Sequence, residues 1–149
     1  MAGVKFTVAT EEISTGTSQK TMVQIVAAAN HRVEIIEWSI SFDGTSNTAA
    51  PIEFFISRQT TGGTTTAFTL QKMNEDDGET IQATAGVNAT VEPTTNSVAL
   101  MAEQIHPQGG FTWQAPFGGR IIINGGDRLG FLVLAGASVE ARLRIVCEE

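Results

Sequence analysis

Hydrophobic positions along the chain recur mostly with period two. Over Val139, Ala141, Leu143, Ile145 and Cys147, apolar side chains alternate with Glu140, Arg142, Arg144 and Val146. That spacing predicts a strand with one face in a core and the other largely in water. Leu129, Phe131, Val133 and Ala135 repeat it, and the "GAS" at 136–138 predicts an antiparallel hairpin joining the two runs. Val98, Leu100 and Ala102 form a third alternating run. Ile36, Trp38, Ile40 and Phe42 form a fourth, closed by the turn-rich loop "DGTSNTAAP", after which Ile52, Phe54 and Ile56 open the next strand. Further strand candidates lie at 21–28, 65–71, 111–114 and 120–124.

Gly, Thr, Asn and Pro punctuate these runs throughout, as in "TTGGTTT", "EPTTNS", "HPQGG", "APFGG" and "NGGD". Short strands separated by turn signals predict an all-β fold, an antiparallel β-sandwich of jelly-roll type. Residues 74–90 interpose Gly78 and Gly86 and read as an irregular excursion with room for a short helical turn. Residues 21–149 form the expected sandwich domain, and 1–20 an N-terminal arm or first strand. Val4, Phe6 and Val8 alternate as a strand would, but "ATEEISTGTSQ" interrupts the pattern. A docking arm, a frayed terminus and an ordinary first strand all fit that stretch.

Composition narrows the class. The chain has 149 residues, 17% charged and 42% hydrophobic, which argues against intrinsic disorder. Nine basic against 16 acidic residues give a net charge of −7, a poor balance for neutralising nucleic-acid phosphates. The single cysteine, Cys147, allows neither an intrachain disulfide nor a CxxC metal knuckle. The start carries no secretion-signal pattern. The most apolar stretches, "IVAAA" and "FLVLAGA", fall far short of the roughly 20 residues that span a bilayer. No membrane is expected as a partner, and synthesis in a reducing cytosol is.

Candidate chemistry is sparse. His31 in "ANHRV" and His106 in "IHPQGG" have no second histidine or cysteine at ligand spacing, so they read as loop residues bonded to backbone. No G-x-S-x-G elbow marks a nucleophile. Cys147 alternates inward, as a small hydrophobe does. The cluster Glu75, Asp76, Asp77 and Glu79 fails the Ca²⁺-loop pattern, with Gly78 misplaced and Ala85 where the bidentate Glu belongs, and reads as solvated loop charge. The four "GG" pairs lead into strands, which suits positive-φ turns better than a phosphate loop. Catalytic, cofactor and metal sites are therefore expected to be none, and the chain is not expected to be an enzyme. Trp38 is in phase with the core. Trp113, within "GGFTWQAPFGG", is placed to face a sugar or a neighbouring protein.

The stretch from "QIVAAANHRVEIIEWSISFDGTS" through "EFFISRQTTGGT" to "HPQGGFTWQAPFGG", "GGDRLGF" and the closing "RIVCEE" resembles small virion structural proteins of tailed bacteriophages, of the capsid decoration (cement) type. The resemblance runs from about residue 22 to 149. It implies a non-enzymatic β-sandwich, assembled in the host cytoplasm, that binds the major capsid protein on the outside of the head and stabilises the shell as a homotrimer. Two contact regions are expected: Val4, Phe6 and Val8 in the arm, adding a strand to a neighbour's edge, and Phe111, Trp113 and Phe117 in the Gly-rich loop. The alternative is a tail-associated or receptor- or carbohydrate-binding sandwich.

Overall fold

A computed structural model describes residues 3–45 and 50–149. Part of the turn-rich loop after Phe42, residues 46–49, lies outside the described residues. The described chain is all-β, with no helix. Its strands are β1 (Lys5–Ala9), β2 (Ile13–Ser14), β3 (Lys20–Val26), β4 (Val33–Phe42), β5 (Ile52–Gln59), β6 (Thr64–Phe68) and β7 (Gln71–Lys72). They continue with β8 (Thr84–Val91), β9 (Met101–Ile105), β10 (Gly110–Gln114), β11 (Ile121–Ile123), β12 (Arg128–Leu134) and β13 (Glu140–Glu148).

These strands form two antiparallel sheets. Sheet 1 runs β10–β4–β13–β1–β7, with β11 also on β4 and β2 also on β13; sheet 2 runs β6–β8–β3–β12–β5–β9. The pairing is nested: β1 with β13, β3 with β12, β4 with β10 and β5 with β9. The chain thus behaves as one long folded ribbon wound around a core, which is the jelly-roll arrangement. Strands β6, β7 and β8 are an insertion between β5 and β9 that widens both sheets at one side.

The core is aromatic across the two sheets. Trp38 of sheet 1 meets Phe54 of sheet 2 at a ring-centroid distance of 4.6 Å, and Phe54 meets Phe131 at 6.4 Å. Phe6, Ile35, Ile40, Leu143, Ile145 and Cys147 fill sheet 1's inner face, and Val23, Ile25, Ile56 and Leu129 that of sheet 2. Burial of this apolar surface is the main stabilising term.

Several sequence expectations change. The first strand is not a free arm. β1 pairs with β13 along Lys5–Ala9 and with β7 on its other side, and Val4, Phe6 and Val8 are buried in this chain's own core. The expected hairpin between 129–135 and 139–147 does not form. β12 lies in sheet 2 and β13 in sheet 1, so "GAS" carries the chain from one sheet to the other. The run 98–102 is not an alternating strand: β9 begins at Met101, and Val98 and Leu100 are exposed. The 74–90 excursion hides a full strand, β8. Its alternation is broken by Asn88 at φ 54° and by Gly86, where a Cβ would come within 2.1 Å of Thr65 Oγ1 on β6. The 65–71 run divides into β6 and β7, one in each sheet.

Candidate interaction surface

The expected contact residues of the Gly-rich loop converge at one edge of the sandwich. β10 is the outer strand of sheet 1 and pairs only with β4, Phe111 opposite Ile40 and Trp113 opposite Trp38. Because Trp38 and Ile40 face inward, Phe111 and Trp113 share that side and close the end of the core. Phe111 stacks on Trp38 at 5.5 Å and Trp113 at 6.4 Å, leaving Phe111 37% exposed and Trp113 half-buried. Trp38 Nε1 has no hydrogen-bond partner among the described residues, so stacking and packing hold the indole. The edge carries no Lys or Pro within Gly110–Gln114, the usual guards against strand pairing. β9, the corresponding edge of sheet 2, has Glu103 in register with inward-facing Phe54, an inward charge of the guarding kind.

After β10 the chain makes a tight turn, Gly119 N–H donating to the Pro116 carbonyl at 2.8 Å. Gly118 at φ 73° supplies the left-handed residue that this turn requires. The turn presents Phe117 to solvent with its side chain fully exposed. Beside it is an open hollow of about 680 Å³ lined by Glu34, Ile36, Ala115, Pro116, Arg120 and Ile122, with Phe117 and Gly118 of the turn forming part of its wall. Ile36 reaches this outer face through a bulge. The β4–β13 register shifts at Val146/Cys147, so Ile35 keeps the core position and Ile36 becomes the extra residue. Simple alternation from Trp38 put Ile36 inside, and the bulge is why it is not.

The hollow borders an ion-pair network. Arg120 Nη1 lies 3.0 Å from Glu34 and 2.7 Å from Glu148, and Arg32 lies 2.9 Å from Glu34. Hydrogen bonds to Glu34, then Glu148, raise the Arg120 pKa above its already high ordinary value. Farther along the same face Arg144 pairs with Glu37, which also accepts from Gln114 Nε2 at 2.8 Å.

Sheet 2 has a different outer face. Thr21, Gln24, Ser57 and Gln59 are buried there under residues 60–63 and 92–96. Gln59 Nε2 donates to Thr21 Oγ1 and Thr95 Oγ1, both at 3.0 Å, and Gln24 Nε2 donates to Gln59 Oε1 at 2.8 Å. Glu92 accepts from the Thr21 amide at 2.9 Å and from its hydroxyl at 2.7 Å. The network pins the β8–β9 connection onto the sheet. Sequence reasoning missed it, because a polar residue on a strand's second face has the same pattern whether water or another segment covers it.

The other candidates stay apart from this edge. His31 Nδ1 is 3.0 Å from Asn30 Oδ1, and His106 Nδ1 accepts from the Gln108 amide at 3.1 Å. Glu75, Asp76 and Glu79 are exposed, and the loop is organised by Asn74 Oδ1 and Asp77 Oδ1 accepting from the amides of Asp76 and Glu79. No group of three or more His, Cys, Asp or Glu at metal-holding distance occurs among the described residues. Cys147 is buried, and desolvation pushes its thiol pKa well up. Compared with protein-family models, curated proteins and solved structures, the chain matches none.

Proposed function

We propose that the chain is a non-enzymatic capsid decoration (cement) protein of a tailed bacteriophage. It would bind the outer surface of the head and stabilise the shell as a trimer bridging major capsid subunits. The observation that carries this reading is the β10 edge: an unguarded edge strand with Phe111 and Trp113 anchored on Trp38. Aromatic anchors held on a rigid sheet are what a protein-binding surface uses, because little side-chain entropy is lost on docking. A strand edge adds backbone hydrogen bonds from a partner segment. On a shell, symmetry repeats each modest contact many times, so avidity compensates for a small interface.

Val4, Phe6 and Val8 have a different place in this reading. They hold β1 in the fold and are not a contact with the capsid. The test is co-sedimentation of the purified protein with heads that lack it. Wild-type protein is expected to pellet with the heads and raise their thermal stability, and Trp113→Ala is expected to pellet at a reduced fraction. Wild-type protein that stays in the supernatant overturns the proposal.

A further inference from the structure

The outer face of sheet 1 differs in charge from the rest of the molecule. All ion pairs among the described residues lie on it: Arg32–Glu34, Arg120–Glu34, Arg120–Glu148, Arg144–Glu37 and the looser Arg142–Glu12 at 3.9 Å. The four arginines and four glutamates of this network cancel. The other 5 basic and 12 acidic residues carry the whole net charge of −7, and the two of them that stand outward on β1 and β13, Lys5 and Glu140, cancel each other. Two copies approaching through this face therefore meet no net like-charge opposition. Arg32, Glu34, Arg120 and Glu148 form a compact cluster of balanced sign, Arg120 Nη1 bonding both Glu34 and Glu148.

The same face carries a knob and a hole. Phe117 stands fully exposed and forms one wall of the 680 Å³ hollow, whose apolar lining also includes Ile36, Ala115 and Ile122. An exposed phenyl at the mouth of a part-apolar hollow is complementary to a second copy of itself, and the balanced ion-pair cluster around it adds no net repulsion to such pairing. We infer that the outer face of sheet 1 is a self-association surface, on which Phe117 of one copy enters the Ile36–Ile122 hollow of another. Copies can exchange knobs reciprocally about a two-fold axis or pass them round a closed ring; the ring matches the trimer proposed above. The inference deepens that proposal and rests on it for the use of the assembly, not for the contact.

Sedimentation velocity of the purified full chain over a concentration series, with no heads present, tests it. Wild type is expected to sediment as an oligomer. Phe117→Ser and Ile122→Glu are each expected to sediment as monomer, with the wild-type far-ultraviolet circular dichroism spectrum and a cooperative urea transition retained by Phe117→Ser, whose side chain is exposed in the single copy. A wild type that is monomeric throughout the series, or a Phe117→Ser variant that keeps the wild-type oligomer, overturns the inference. Neither result touches head co-sedimentation. Lost head binding by a protein that still oligomerises would count against the capsid reading alone.

Discussion

Gly130 lies in β12 beneath the Gln59 carboxamide. A Cβ there would come within 2.4 Å of Gln59 Cδ, 2.5 Å of Nε2 and 2.6 Å of Oε1. A free glutamine could swing aside, but this one bonds Thr21, Gln24 and Thr95 at once. Gly130→Ala is therefore expected to destabilise the fold by about 1–3 kcal/mol, through strain or broken buried hydrogen bonds. A lowered urea midpoint would report it, and an unchanged midpoint would show that the network re-forms at no cost. Cys147 gives a second prediction at this scale. Its pKa is raised in the fold, so the neutral thiol favours the native state fully below the unfolded thiol pKa of about 8.5, and that contribution is lost as pH rises above it. Native protein is expected to resist a thiol reagent at neutral pH, with labelling rising along the urea unfolding curve. Rapid labelling without denaturant would contradict the burial.

Among the elements, β1 decides how the N terminus is to be tested. Removing residues 1–12 would strip Val4, Phe6 and Val8 from the core and leave β13 and β7 without their shared partner. That truncation is expected to abolish cooperative unfolding, so lost head binding would report a lost fold. Phe6→Ala is the finer probe, with an expected cost of about 3–5 kcal/mol by chemical denaturation. A cost under about 1 kcal/mol would mean that β1 is peripheral. The alternation at Ala141–Cys147 made β13 legible from sequence, and Trp38, Ile40 and Phe42 did the same for β4. The partner of each strand was not legible, because period two fixes a face and says nothing about which sheet receives it. β12 shows why: the tidy run Leu129–Ala135 beside "GAS" reads as half of a hairpin, yet the chain crosses to the other sheet. β8 and the Ile36 bulge were hidden for a related reason, since one extra or left-handed residue shifts the phase of everything after it.

For the whole molecule, the sandwich class followed from short strands and turn signals, and the aromatic edge proposed as a contact was flagged by Phe111, Trp113 and Phe117 within a Gly-rich stretch. The sequence could not show that the stretch divides its work, two rings closing the core's end and one projecting from a turn. Nor could it show that charges of both signs balance on sheet 1's outer face, because that pairing exists only once β4, β11 and β13 are brought side by side. On the proposed account, one edge grips the shell and one neutral face joins copies, both held by a scaffold with a continuous core. The most direct measurement is cryo-electron microscopy of the phage particles. The account predicts density for this fold on the outer capsid lattice at sites bridging major capsid subunits, with the β10 edge toward the shell. Density for it only in the tail, or none on the particle, would contradict the account.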